Sequence, residues 1–393
     1  MKIALIGNMN NNFYSFFRYF KDLKFDVELL IFKNEPKIFN LKNDEPNKVN
    51  RIKIKQLSWG DRFDLIKTSK NKIYNDLKKY DVLIGCGLSP AFCYKAGLSL
   101  DIFVPYGADI YYFTKFNLTY PKNIINLLYT TYYQKKGLKT CKIWHMPLTN
   151  HLYENIFEKY KGRAKRWYNG IPYVYDKAYD KKFLINKPKK NLNKFYKQRK
   201  NNKIILFSPS RLVWGRNKND PNDKGTDTLL KGFKIFKEKN SHESISLILM
   251  KYGPDLVKTK KLIDKLDLKK DVILIDRQPR TNILYMMKFS DIICCQFKHS
   301  WLSYGVIFEA LAMSKIIMTF RDDNLYKKKY KILYPILNIN KSERINEQLS
   351  KYIKYKKKYQ EVGKIGRKWY MEYCVKQTLK RYTKYFNGIK KNK

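Results

Sequence analysis

The stretch KIILFSPSRLVWGRNKNDPNDKGTDTLLKGFKIFKEK, residues 203–239, decides how the rest of the chain is read. Its opening KIILFSP, 203–209, is an apolar run that reads as a buried strand. TDTLLKGFKIFKEK, 226–239, has the spacing of an amphipathic helix. The pattern restarts downstream, with strands at 246–253, 272–277, 291–297 and 315–320 and a helix over 254–266. Upstream, KIALIGN is a strand closed at Gly7, FYSFFRYFKDL (13–23) a helix and DVELLIF (26–32) the next strand. Further strands are expected at 81–86, 101–107 and 142–147. Strands alternating with helices specify an α/β fold with parallel, doubly wound sheets.

The chain has 393 residues, more than one hydrophobic core usually supports, so two Rossmann-like domains are expected. The alternation breaks between Lys181 and Lys203, and no Asp or Glu occurs from Lys181 to Asn219. The expected organisation is an N-terminal domain over 1–180, a basic linker or surface loop over 181–202, a C-terminal domain over 203–365 and a basic helical segment over 366–393.

A formal net charge of +48 favours anionic partners: phosphate-bearing small molecules, nucleic acid or an anionic membrane. No finger spacing or RNP-type aromatic pattern occurs, so no specific nucleic-acid partner is expected. Six cysteines without CxxC spacing, several in apolar runs such as DIICCQF, read as buried free thiols of a reducing compartment. Four unclustered histidines and the lack of a DxD motif give no reason to expect a metal. No stretch reaches the roughly 18 apolar residues of a membrane span. The expected location is the cytoplasm, with peripheral attachment to the inner face of its membrane as an extension.

Ligands of doubly wound sheets bind beyond the carboxyl ends of the strands. Arg211 and Lys224 lie there, before a helix that starts beside Gly225, and two cations so placed suit a diphosphate and the charge it develops on leaving. In a chain with 82 lysines and arginines, two ordinary surface cations would look the same. Glu309 lies one turn into the apolar helix of SYGVIFEALAMSKIIM and needs donors, from a sugar or ribose or from the protein itself. Asp109 in PYGADI is either a proton-transfer or substrate-orienting carboxylate or a helix cap. Gly7 and Asn8 begin the first strand–helix loop, which lacks a GxGxxG fingerprint. They read as a ligand contact or as an ordinary turn.

In their order and spacing, FSPSRLVWGRNKNDPNDKGTDTLLKGF, LILMKYGP and SYGVIFEALAMSKIIM resemble the retaining family-4 glycosyltransferases, over about residues 203–320. The resemblance implies the GT-B fold: two Rossmann-like domains facing across a cleft, with the C-terminal helical segment returning to the N-terminal domain. It implies that Arg211 and Lys224 bind the donor diphosphate and that Gly253 lies near the nucleotide. Arg277 would stand by the base, Gly305, Val306 and Ile307 by the sugar and distal phosphate, and Glu309 by the ribose. Where the family has the first glutamate of a pair, eight residues before Glu309, this chain has Trp301. Ser300, Ser303 or a stacking Trp301 are candidate substitutes.

The reaction so implied moves a sugar from a nucleotide-diphosphate-sugar to a hydroxyl with retention, in cell-surface polysaccharide or glycolipid synthesis, with no cofactor or metal. The resemblance implies that the nucleotide-sugar is a substrate held by the C-terminal domain, and that the acceptor, a saccharide or lipid-linked, lies on the side of the N-terminal domain. Alternatives are a non-enzymatic polyanion-binding protein and a sugar-nucleotide epimerase of the same architecture. KNIINLLYTTYYQKKG, 122–137, with its tyrosines and Lys122, Lys135 and Lys136, is the candidate contact with an anionic membrane. The sequence does not define an oligomeric state.

Overall fold

Strands buried on both faces read as near-continuous apolar runs, and the strands that occupy the sheet centres do so. The computed structural model describes residues 1–36, 39–44, 54–115, 123–147, 151–179, 192–201, 204–216, 220–303, 305–328 and 330–391. The first sheet comprises β1 (Lys2–Ile6), β2 (Asp26–Ile31), β3 (Ile54–Gln56), β4 (Val82–Gly85), β5 (Ile102–Phe103), β6 (Ile143–His145) and β7 (Lys165–Trp167). Its seven parallel strands run in the order β3-β2-β1-β4-β5-β6-β7. The second comprises β8 (Ile204–Ser208), β9 (Ile245–Met250), β10 (Val272–Ile275), β11 (Ile292–Cys294), β12 (Ile316–Thr319) and β13 (Leu337–Asn338). Its six parallel strands run β10-β9-β8-β11-β12-β13. Every residue of β8 and β9 is buried.

Both orders reverse direction once, between β1 and β4 in the first sheet and between β8 and β11 in the second. At such a switch point the flanking crossovers leave on opposite faces, opening a crevice beyond the carboxyl ends of the two strands. No apolar run announces β3 (IKQ), β7 (KRW) or β13 (LN): each is two or three residues long and stands at a sheet edge, where one side has no strand to pair with.

The chain divides into two units, Met1–Tyr175 with Tyr373–Lys393, and Asp176–Glu372. The expected linker over 181–202 therefore needs correcting where it is described; residues 180–191 and 202 lie outside the described residues. Asn193–Asn201 is a helix of the second unit. It buries Phe195, and Arg199 pairs with Asp291 at 2.6 Å beside the start of β11. One apolar face position amid lysines and asparagines gives this helix almost no periodic signal.

The C-terminal segment returns to the first unit, as the family likeness implied, but from Tyr373 rather than 366. The helix Lys356–Tyr370 stays with the second unit: Trp369 Nε1 donates to the Ile332 carbonyl at 2.7 Å, and Gly363 lies against the Ser314 carbonyl. After a π-helical turn at Met371–Lys376, the helix Gln377–Lys391 buries Thr378, Tyr382 and Phe386 in the first core. Tyr382 and Phe386 meet Phe20 with ring centroids 5.3 and 5.4 Å away, and the Tyr382 hydroxyl reaches His145 Nδ1 at 2.9 Å. Each such aromatic contributes about 1.5–3 kcal/mol by burial. Burial pushes the His145 imidazole down to about 4, so it packs as a neutral ring.

All six cysteines are buried and free. Among the described residues, no helix is long and apolar enough to cross a membrane.

Candidate functional site

At the switch point of the second sheet, the loop after β8 meets the loop after β11. Ser210 Oγ donates to the Cys295 carbonyl at 3.1 Å, and the Phe297 N–H to the Lys224 carbonyl at 3.0 Å. Gly225 adopts φ +64°, and a Cβ there would lie 3.0 Å from Lys298 N, so glycine lets the two loops close. Asp223 spans the fold of its own loop, accepting from Gly225 N at 2.8 Å and Arg216 N at 3.0 Å.

Lys224 is held inside this junction, 5% exposed, with Nζ 3.2 Å from Gln296 Oε1 and 3.4 Å from the Pro221 carbonyl. Burial, then the nearby Arg211 guanidinium, pull its ammonium down to about 7, against Asp220 and Asp223. Arg211 is exposed and touches Asn222 Oδ1 at 3.3 Å. The loop that carries it is braced behind: Trp214 N–H donates to Asp255 at 3.0 Å and Trp214 Nε1 to Thr259 Oγ1 at 2.8 Å. Gly253 presses on the same loop, with φ +129°, where a Cβ would lie 2.5 Å from the Leu212 carbonyl. Its freedom thus serves the close approach of two loops.

Tyr252 gathers the remaining charges. Its hydroxyl, raised by burial, feels Arg211, Arg277 and Glu309, and the Arg277 guanidinium lies 5.3 Å from its ring centroid. Glu309 Oε1 accepts from Arg280 Nε at 3.0 Å, so the donor that makes its burial tolerable is a side chain of the preceding helix. The structure thus assembles Arg211, Lys224, Gly253, Arg277 and Glu309 around the carboxyl ends of β8 to β11. At Gly305, a helix begins with backbone N–H groups that its own turns do not satisfy. Val306 is half-buried there, whereas the Ile307 side chain belongs to the core, leaving only its backbone for a ligand.

The loop bearing Trp301 differs from the picture of a stacking platform. Trp301 is 4% exposed, and its neighbours are tied down: Ser300 Oγ accepts from Asp322 N at 2.9 Å, and Tyr334 donates to the Leu302 carbonyl at 2.7 Å. Ser300 also lies 3.3 Å from the Tyr326 hydroxyl, so it fastens the loop. Ser303 is half-buried just before the helix start. Gln296, Arg280, Tyr252 and His299 escaped sequence reasoning. His299 Nε2 donates to the Asp220 carbonyl at 2.7 Å, and the buried Gln296 Nε2 has no hydrogen-bond partner among the described residues. Only Tyr252 stands in one of the motifs that carry the resemblance, LILMKYGP; the others are marked by the convergence of strand ends alone.

The switch point of the first sheet has the same construction and different chemistry. Gly7 (φ +88°) has Cys86 Sγ and Phe32 within 3 Å of where a Cβ would stand, so it packs rather than cradles. Asn8 is fully buried; its Oδ1 accepts from Tyr14 N at 2.9 Å and its Nδ2 donates to Asn11 at 2.7 Å, leaving its side chain inside the loop. Asp109 is fully buried and accepts from the N–H groups of Gly87 (3.1 Å), Tyr106 (3.1 Å) and Gly107 (2.9 Å). Burial raises its carboxyl to about 7 despite those donors. It organises two loops, and Gln134 Nε2 locks them further, donating to the carbonyls of Gly87 and Asp109 at 3.0 Å each.

Residues 189–369 match the family model described as glycosyl transferases group 1. Over that stretch the chain is similar to this family. Solved structures extend the likeness to the whole length. HepE of Anabaena, in complex with UDP and glucose, is 13% identical, with TM-score 0.61 over 98% of this chain and 99% of that one. A glycosyltransferase from Rickettsia africae is 15% identical, with TM-score 0.62 over 100% and 99%. The fold is GT-B. It is shared with the UDP-GlcNAc 2-epimerase of Methanocaldococcus jannaschii, 16% identical, with TM-score 0.52 over 94% and 98%. No curated protein matches the chain by sequence. Among the described residues of this GT-B chain, no group of three or more His, Cys, Asp or Glu side chains could hold a metal ion.

Proposed function

We propose that this GT-B protein is a glycosyltransferase that takes a nucleotide-diphosphate-sugar at the switch point of its second sheet and passes the sugar to a hydroxyl. The observation that carries the reading is Lys224: a lysine buried beside Arg211 is costly to charge unless an anion arrives. A diphosphate supplies that anion, and its charge grows as the glycosidic bond breaks. Arg211, Lys224 and the helix start at Gly305 are then held ready for the transition state. Glu309, steadied by Arg280, faces the same gathering of charge and suits a ribose diol.

The transfer we propose proceeds with retention, as the family resemblance implies, and among the described residues of the site no side chain stands out as the nucleophile a double displacement would need. Front-face attack, with a donor phosphate oxygen taking the acceptor proton, keeps the protein's role electrostatic. Asp109 acts at one remove, by holding the loops of the first unit.

The acceptor is a saccharide, free or lipid-linked at an anionic membrane. Support for the membrane comes from the helix Ile124–Thr140, whose exposed Ile125, Leu128 and Tyr132 are followed on the same side by Lys136 and Lys139. Lys122 lies outside the described residues.

Mass spectrometry of the purified protein with UDP-, GDP- and ADP-sugars, against free saccharides and lipid-linked saccharides in anionic vesicles, tests the reading. The expected outcome is an acceptor heavier by one sugar residue. An epimerised nucleotide-sugar with no transfer would overturn it in favour of an epimerase.

A further inference from the structure

Gln296 lies just beyond β11, at the switch point of the second sheet, and is fully buried. Its backbone is held by β12: the carbonyl accepts from Phe320 N–H and from Thr319 Oγ1, each at 2.8 Å. The Lys224 backbone is held as firmly. Its N–H donates to the Val213 carbonyl at 2.7 Å and its carbonyl accepts from Phe297 N–H at 3.0 Å. From these two anchored backbones the side chains meet, with Gln296 Oε1 3.2 Å from Lys224 Nζ.

An ammonium only donates, so the amide turns its oxygen to Lys224 and its NH2 away. That Nε2 is buried and has no hydrogen-bond partner among the described residues. A buried donor left unsatisfied destabilises the fold. Stability alone would favour methionine, which fills a similar space without a stranded donor, or glutamate, which would pair with the lysine. Of the three, glutamine is the one that offers a strong acceptor without a charge.

The surroundings give that neutrality a use. Asp220 and Asp223 favour the Lys224 ammonium, and Arg211 opposes it from the loop after β8. Both carboxylates already serve their own loop, Asp223 accepting from Gly225 N and Arg216 N and Asp220 from Asn222 N at 2.8 Å. From the loop after β11, His299 feels the same lysine, with Lys298 beside it. Burial lowers the His299 imidazole, so this ring is neutral above pH 7. A carboxylate in place of Gln296 would set a third negative charge where a diphosphate has to enter.

We propose that Gln296 is a positioning residue for the donor diphosphate: it aims Lys224 Nζ through a neutral acceptor and leaves the positive charge there for the arriving anion rather than for an internal carboxylate. The inference rests on the nucleotide-diphosphate reading of this crevice and adds the residue that keeps its charge available. Burial brings the ammonium of the empty site down to about 7, so above that pH the anion and a proton arrive together.

The test is isothermal titration of UDP, GDP and ADP into the whole protein between about pH 6 and pH 9, with Gln296→Met and Gln296→Glu beside the wild type. Gln296→Met removes the acceptor at similar volume. It should bind at least about fivefold more weakly at neutral pH, and the pH above which affinity falls should move down by about one pH unit. Gln296→Glu should bind at least about tenfold more weakly at neutral pH, and the same pH should move up by about one pH unit, because its carboxylate keeps Lys224 charged. Opposite displacements of the pH profile are a result that a merely structural role does not produce. Thermal unfolding checks that the variants are folded, and if one is not, the displacement in the other decides. Unmoved pH profiles in the folded variants, or wild-type affinity in Gln296→Met, would overturn the assignment. A wild type that binds none of the three nucleotides would overturn the reading of the crevice and this inference with it. Displaced profiles without any sugar transfer would contradict the transferase reading and leave Gln296 in its role.

Discussion

The two sheets reverse strand order in the same way and place loops from neighbouring strands at the same kind of crevice, yet the chemistry at the two switch points is opposite. Beyond β8 and β11 stand Arg211, Lys224, Arg277 and Arg280, answered by Asp220, Asp223 and Glu309. Beyond β1 and β4 stand Glu35, Asp61 and Asp109 among aromatic rings, answered by Arg62. Topology decides where a ligand can sit; the loops decide which ligand. One crevice gathers cations, the other carboxyls among aromatic rings. The +48 net charge obscures this, because most of it is solvated surface, and the first crevice is acidic within a basic protein.

The strongest way to break the comparison is to remove the cations of the second crevice. Lys224→Ala and Arg211→Ala should each reduce sugar transfer by more than tenfold, because charge-assisted hydrogen bonds contribute about 1.5–3 kcal/mol. Steady-state rates at fixed acceptor measure this, and undiminished rates in both variants would remove the diphosphate from the site. The Lys224 change should be the larger, since its ammonium is enclosed and the Arg211 guanidinium is open to water.

A smaller effect sharpens the contrast by pH. Burial lowers the Lys224 pKa from 10.5 to about 7, so the empty site holds this lysine largely neutral above pH 7. A bound diphosphate favours the charged form and raises the pKa again. Binding therefore takes up a proton, and nucleoside diphosphate affinity should fall by up to about tenfold per pH unit above 7. Calorimetry in buffers of different ionisation enthalpy measures the uptake, which should vanish in Lys224→Ala. Without ligand the sign is also determined: the folded protein binds fewer protons than the unfolded chain between pH 7 and 10.5, so this lysine's cost to stability shrinks as pH rises through that window.

Most of the fold is legible in the sequence because central parallel strands must be apolar from end to end. Three of the four edge strands are not, because IKQ, KRW and LN hold too few apolar residues to form a run, whereas the edge strand VILI does. The candidate site divides similarly. Arg211, Lys224, Gly253 and Glu309 are readable from their order along the chain. Gln296, Arg280 and Glu35 are not, since each acquires meaning only from a partner far away in sequence: Lys224, Glu309 and Asn8. Asp109 is visible as a carboxylate in a loop after a strand, but its three backbone donors come from turns that no local pattern encodes. Trp301 stands where the resemblance implies a glutamate, and its loop is held by Tyr326 and Tyr334 from outside the motif.

The central claim is the division of labour between the two crevices, and isothermal titration of UDP, GDP and ADP into three proteins tests it most directly. The wild type should bind at least one of these nucleotides. Lys224→Ala should lose that binding by more than tenfold, while Glu35→Gln should bind it as the wild type does. Equal losses in Lys224→Ala and Glu35→Gln, or undiminished binding in Lys224→Ala, would contradict the account.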